Sequence, residues 1–135
     1  SHTREPRGML ECDVNIGGST IKVFTSHLGL EESERKLSIE YISNVLEDMS
    51  NNTILLGDFN MKYDKDFEEL SPLMAQLKDT AEDIGLADDI MTFDSKHPNK
   101  KIDYILVSKD VKVLSTYVIP SLASDHLPLI CKLEF

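Results

Sequence analysis

The chain has 135 residues, 41% of them hydrophobic and 28% charged, which fits one soluble α/β domain and leaves no room for two. Fourteen Lys and Arg stand against 24 Asp and Glu, a formal charge of -10, so the average field repels polyanions and disfavours a tight non-specific grip on nucleic acid. No run approaches the roughly 18 consecutive apolar residues of a membrane helix, so the expectation is a soluble chain without a membrane span, its compartment left open.

From the N-terminus, residues 9–16 alternate: Leu10, Cys12, Val14 and Ile16 fall on one side, and Glu11, Asp13 and Asn15 on the other, the pattern of a half-buried strand. Gly17-Gly18 suits a tight turn, and the apolar run 20–25 completes a hairpin that delivers Ser26-His27 at its end. Residues 31–50 read as a helix, with Leu37, Tyr41, Ile42, Val45, Leu46 and Met49 at three- and four-residue spacing and acidic residues in the first turn. After Asn51-Asn52, the run 53–56 lacks alternation, as in a strand covered on both faces, and it leads into Gly57-Asp58-Phe59-Asn60.

Ser71-Pro72 reads as a helix start running to about Lys78, and a further turn ends near Gly85. Residues 94–101, with Pro98 and Asn99, read as a loop. Strands are expected over 102–108, 111–119 and 127–135. Cys12 and Cys131 each lie in an alternating segment with no partner at metal-ligand spacing, so both are expected to be buried free thiols. The order of elements predicts a mixed sheet with helices covering one face.

Polar residues end four of these strands: His27, then Asp58 and Asn60, then Asp103, then Asp125 with His126. Taken singly, such residues more often cap or turn the chain than catalyse. Asp103 is harder to dismiss, because it lies in the run Ile102-Asp103-Tyr104-Ile105-Leu106-Val107, where an unpaired carboxylate is costly and a histidine would serve as partner.

Gly57-Asp58-Phe59-Asn60 after Ile54-Leu55-Leu56, Ile102-Asp103-Tyr104-Ile105-Leu106 after a Thr-Phe loop, and Ser124-Asp125-His126-Leu127-Pro128 before a final strand resemble the last three motifs of the endonuclease/exonuclease/phosphatase family. Thr25-Ser26-His27-Leu28 resembles an earlier motif, and Arg4-Glu5-Pro6-Arg7-Gly8 resembles the lead-in to its strand. Four such motifs in order span nearly the whole chain.

The resemblance implies an α/β (α+β) fold with a mixed, mainly antiparallel sheet, half of a four-layer α/β/β/α sandwich. It also implies a metal-dependent phosphoesterase whose substrate is a small-molecule, lipid or nucleic-acid phosphate ester. His126 would be the general base and Asp103 would orient its ring. Asp125 would coordinate Mg²⁺ (or Mn²⁺), Asp58 would position the water, the Asn60 amide would donate to a phosphoryl oxygen, and His27 would stand on the opposite side of the phosphate.

In this family an Asn and a metal-binding Glu precede the matching region, so the chain corresponds to the C-terminal portion of the domain and is expected to hydrolyse little by itself. Its sheet is expected to leave one face bare, and two copies are expected to pack through it as a homodimer. A competing reading is a non-catalytic interaction module on the same scaffold. The number of polar groups at one end of the sheet speaks against it.

Overall fold

The computed structural model describes residues 7–135; Arg4, Glu5 and Pro6 of the lead-in lie outside the described residues. Strand β1 (Met9–Ile16) turns at Gly17 and Gly18, whose φ values of 56° and 85° suit glycine, into β2 (Ser19–Ser26), and the two pair antiparallel. Helix α1 (Glu32–Glu47) carries the chain back so that β3 (Thr53–Asp58) lies parallel to β2. A short helix α2 (Tyr63–Asp66) leads into a 3-10 segment (Phe67–Leu73), then β4 (Leu77–Asp79) and the single turn α3 (Thr80–Asp83). Strand β5 (Asp103–Ser108) returns between β3 and β4 and pairs antiparallel with both. The five-stranded order is β1-β2-β3-β5-β4, and β6 (Lys112–Val118) with β7 (Leu129–Glu134) forms a separate two-stranded antiparallel ribbon. The fold is therefore mixed α+β and mainly antiparallel.

The two sheet faces are closed differently. Phe24, Leu55 and Leu106 are cross-strand neighbours on one face, and they pack with Leu28, with Ile39, Ile42 and Leu46 of α1, and with Phe59, Met61, Leu70, Leu73 and Tyr104. Each fully buried side chain of this size contributes about 1.5–3 kcal/mol, so this is the main core. On the opposite face Ile54, Ile105 and Val107 meet Val111, Val113, Cys131 and Leu133, so the ribbon covers that side beside β3 and β5. The cover stops short of β1: Leu10, Val14 and Ile16 are exposed, Leu10 by 73%.

Four local expectations are corrected. First, β1 is not half-buried: among the described residues its apolar row stays exposed beyond the reach of the ribbon. Cys12 is for that reason exposed, while Cys131 is half-buried, and both are free thiols. Second, α1 buries Arg35, Ile39, Ile42 and Leu46, whereas Leu37 and Tyr41 point to solvent. At 100° per residue, positions 37 and 41 lie about half a turn from the 35/39/42/46 stripe. Arg35 holds its place in that stripe through a two-pronged ion pair, its Nε and Nη2 each donating at 2.8 Å to the buried Glu69 carboxylate.

Third, Ser71-Pro72 starts no helix. Both lie inside the 3-10 segment, whose three-residue turn sets Leu70 and Leu73 on one side, both fully buried, with Phe67 packed against the same core. Fourth, the residues expected to continue that helix instead form β4, in register with Leu106–Ser108 of β5.

Candidate active site

The parallel pairing of β2 and β3 ends both strands at one edge of the sheet. The two exits approach so closely that a Cβ at Gly57 would run into the Ser26 carbonyl oxygen, and Gly57 itself has φ +150°. Glycine at this point lets His27, just past β2, meet Asp58, the last residue of β3: His27 Nε2 lies 3.2 Å from Asp58 Oδ2. Two hydrogen bonds fasten the exits together: Leu28 N–H donates to Asp58 O at 2.9 Å, and Asn60 Nδ2 donates to Leu28 O at 2.7 Å. Asn60 sits at φ 52° and gives its backbone N–H to Asp58 Oδ1 at 2.9 Å, so this carboxylate oxygen is held by a local turn.

Antiparallel register then sets Asp103, the first residue of β5, directly opposite Asp58. Asp103 Oδ2 is 2.8 Å from His126 Nδ1, and an ionised carboxylate can only accept, so the ring proton is on Nδ1 and Nε2 faces outward. That Nε2 lies 3.5 Å from Asp58 Oδ2. One oxygen of Asp58 is thus approached by both histidines. His27 is more than half exposed, whereas Asp58, Asp103 and His126 are set back, with side-chain exposures of 17%, 19% and 28%. The Phe93 ring packs against the His126 ring at 5.1 Å between centroids, tilted by 60°.

Electrostatics follow from this geometry. Burial pushes the Asp58 carboxyl above its ordinary range, and the nearby Asp103 carboxylate adds to that; the Asn60 N–H and the two histidines pull the other way without cancelling it. For His126, burial acts to lower the pKa, but the hydrogen bond to Asp103 and the charges of Asp103, Asp58 and Asp125 outweigh it, and the imidazole is held above its usual value.

The structure therefore brings together His27, Asp58, Asn60, Asp103 and His126. Asp125 lies apart from this hydrogen-bonded set: it is exposed, accepts from the Ser124 hydroxyl at 3.3 Å, and reaches His126 through its charge. His27 and His126 converge on one Asp58 oxygen. Ligand atoms of Asp58, Asp103 and His126 all lie within 4.8 Å of one another, and among the described residues they form a group that could hold a metal ion. Two of the three donors are carboxylate oxygens, the chemistry a hard divalent cation selects. Gly57, Thr92 and Phe93 support the site; the sequence motifs include them, Thr92 and Phe93 as the Thr-Phe loop, but gave them no role in it. The φ and contact demands of Gly57 carry no composition signal beyond the glycine itself.

Comparison with known proteins gives the following. The sequence model of the Endonuclease/Exonuclease/phosphatase family matches residues 7–126. No curated protein matches the chain by sequence. Among solved structures, D. rerio TDP2 complexed with single strand DNA product superposes with TM-score 0.79 at 20% identity, over 96% of this chain and 62% of that one. An endonuclease/exonuclease/phosphatase family protein from Leptotrichia buccalis C-1013-b gives TM-score 0.73 at 24% identity, over 99% and 63%. The mannosyl-6-phosphatase Bt3783 of Bacteroides thetaiotaomicron VPI-5482 gives 0.64 at 22%, over 88% and 53%. The chain thus spans between half and two thirds of the structures it resembles.

Proposed function

The chain belongs to the endonuclease/exonuclease/phosphatase family, and from that premise we propose that the full-length protein hydrolyses a phosphate ester with the help of a divalent metal ion. The observation that carries this reading is the Asp58 oxygen shared by two imidazoles, one of which is oriented from behind by Asp103. Structural ion pairs seldom need two histidines on one carboxylate at a strand-end rim, whereas a group that must move protons does.

In this reading His126 takes a proton from the attacking water at Nε2. Asp103 fixes the tautomer that leaves Nε2 free and stabilises the imidazolium that forms. Asp58 positions that water between the histidines. The amide of Asn60, already turned toward the rim by its bond to Leu28, has a second N–H to offer a phosphoryl oxygen. His27, exposed beside the same carboxylate, binds the phosphate or supplies the proton to the departing oxygen. Asp125 and the carboxylates of the inner cluster would hold Mg²⁺ or Mn²⁺, an ion that when bound draws charge from the phosphoryl oxygens.

TDP2 has been captured with a single-strand DNA product, and another neighbour is a mannosyl-6-phosphatase, so both nucleic-acid and small-molecule esters occur among proteins of this fold. A charge of -10 argues mildly against gripping long duplex DNA, and the substrate class proposed is a small-molecule, lipid or nucleic-acid phosphate ester.

Two subsidiary proposals follow. The 135-residue chain alone turns over slowly, because Mg²⁺ demands about six oxygen ligands and the site offers few carboxylates. Two copies associate through the uncovered β1 face, where Leu10, Val14 and Ile16 are exposed in a row and two-fold symmetry lets one patch meet itself. The test of the main reading is a phosphoester panel on the full-length protein, with Mg²⁺ present or chelated. Turnover that needs the ion is expected, and absence of turnover on every monoester and diester overturns the reading.

A further inference from the structure

Asp103 and His126 come from segments 23 residues apart, and their 2.8 Å contact needs both backbones to be held. Asp103 opens β5, but His126 lies before β7, in a loop where no long ladder fixes it. One fully buried residue outside both segments hydrogen-bonds to the backbone of each.

That residue is Thr92, which is fully buried. Its Oγ1 accepts the backbone N–H of Ile102 at 3.2 Å and that of Asp103 at 3.3 Å. Its carbonyl oxygen accepts the N–H of Leu127, the residue after His126, at 2.8 Å. Its own N–H donates to Lys100 O at 2.8 Å, which closes the loop between them. The neighbouring Phe93 bridges to His126 and packs against its ring. A threonine can do this because its hydroxyl and its carbonyl oxygen are separate acceptors, so one side chain and one peptide can serve two segments. The other side of Asp103 is held as well: buried Lys101, paired with Asp79 at 3.4 Å, donates its ammonium to Asp103 O at 3.2 Å.

We propose that Thr92 is the positioning residue of the Asp103–His126 pair, setting by its two oxygens the distance between the carboxylate and the imidazole. Thr92 makes no contact with the reacting groups. It acts through the backbones on either side of them, and its consequence for catalysis rests on the reading of His126 as the base.

The test is nuclear magnetic resonance of the 135-residue chain carrying Thr92→Val, which keeps the shape and removes the side-chain acceptor, Thr92→Ser, which keeps the acceptor, and Thr116→Val as a control. Thr116 is buried in β6, and its hydroxyl donates to Cys131 Sγ rather than to the backbone beside Asp103 or His126. The expected result is loss of the hydrogen-bonded His126 Nδ1–H resonance and mixing of ring tautomers in Thr92→Val, retention in Thr92→Ser, and retention in Thr116→Val even where its thermal stability falls. A folded Thr92→Val with the Nδ1–H resonance unmoved overturns the proposal. Should Thr92→Val not fold, hydrogen exchange of the wild-type chain decides: Asp103 and Leu127 amides protected together support the clamp, and fast exchange of either overturns it. Loss of activity in full-length Thr92→Val with an unmoved resonance likewise overturns this inference while leaving the proposed reaction standing.

Discussion

His126 Nδ1 lies 2.8 Å from Asp103 Oδ2, with the opposite ring nitrogen turned toward Asp58. Because Asp103 must accept and His126 must donate, this contact selects one tautomer and favours the charged ring.

Replacing Asp103 by Asn is therefore expected to lower the His126 pKa toward its ordinary value of 6.5. In the wild-type chain the folded-state pKa is the higher one, so the stabilisation is complete below the unfolded value and is lost as pH rises through the folded one. The stability gap between wild type and Asp103→Asn should thus be widest in mildly acid solution, roughly 1.5 kcal/mol on the scale of a charge-assisted hydrogen bond, and should narrow toward alkaline pH. Urea unfolding at a series of pH values, with an NMR titration of the imidazole, checks this; a gap that widens with rising pH contradicts it.

Gly57→Ala should damage the site from beneath. The new methyl group meets the Ser26 carbonyl, and the residue's φ of +150° is unfavourable to any side chain. A loss of about 3 kcal/mol is expected in chemical unfolding, with the His27 and Asp58 resonances displaced. A stability unchanged from wild type would show that the two strand exits can separate freely.

The Arg35–Glu69 pair joins α1 to the 3-10 segment with both side chains buried. Glu69→Ala leaves a buried guanidinium without its partner and should cost roughly 3–5 kcal/mol, whereas the double change Arg35→Met with Glu69→Leu should cost much less. Unfolding curves for the three chains make the comparison. Equal losses would mean that the pair's charge is not what the site feels.

Association through β1 is checked by sedimentation. The wild-type chain should run as a dimer and Val14→Asp as a monomer, because a charge in the centre of an apolar self-contact is uncompensated in both copies. A wild-type monomer at high concentration contradicts the proposed homodimer.

Much of the site could be read before any coordinates. Apolar runs that give way at His27 and Asp58 mark strand ends, and a carboxylate such as Asp103 at the head of a buried strand calls for a partner, which His126 supplies. What escaped depends on contacts remote in sequence. Leu77–Asp79 becomes a strand because β5 offers it an edge, and Ser71-Pro72, a good local helix start, is overruled by the packing of Leu70 and Leu73. Leu37 and Tyr41 look like core because they are apolar at helical spacing; the stripe that is buried instead contains Arg35, whose charge only Glu69 makes acceptable. Thr92 stood in the motif as part of the Thr-Phe loop, but a threonine in a sequence carries no signal of which backbones its oxygens will hold.

The most direct test of the account is turnover of bis-p-nitrophenyl phosphate and p-nitrophenyl phosphate by the full-length protein with Mg²⁺, compared with Asp58→Ala and His126→Ala. The account predicts metal-dependent hydrolysis that falls by roughly 10²–10⁴-fold in either variant, with folding unchanged by circular dichroism. Folded Asp58→Ala and His126→Ala proteins that retain wild-type kcat would contradict it.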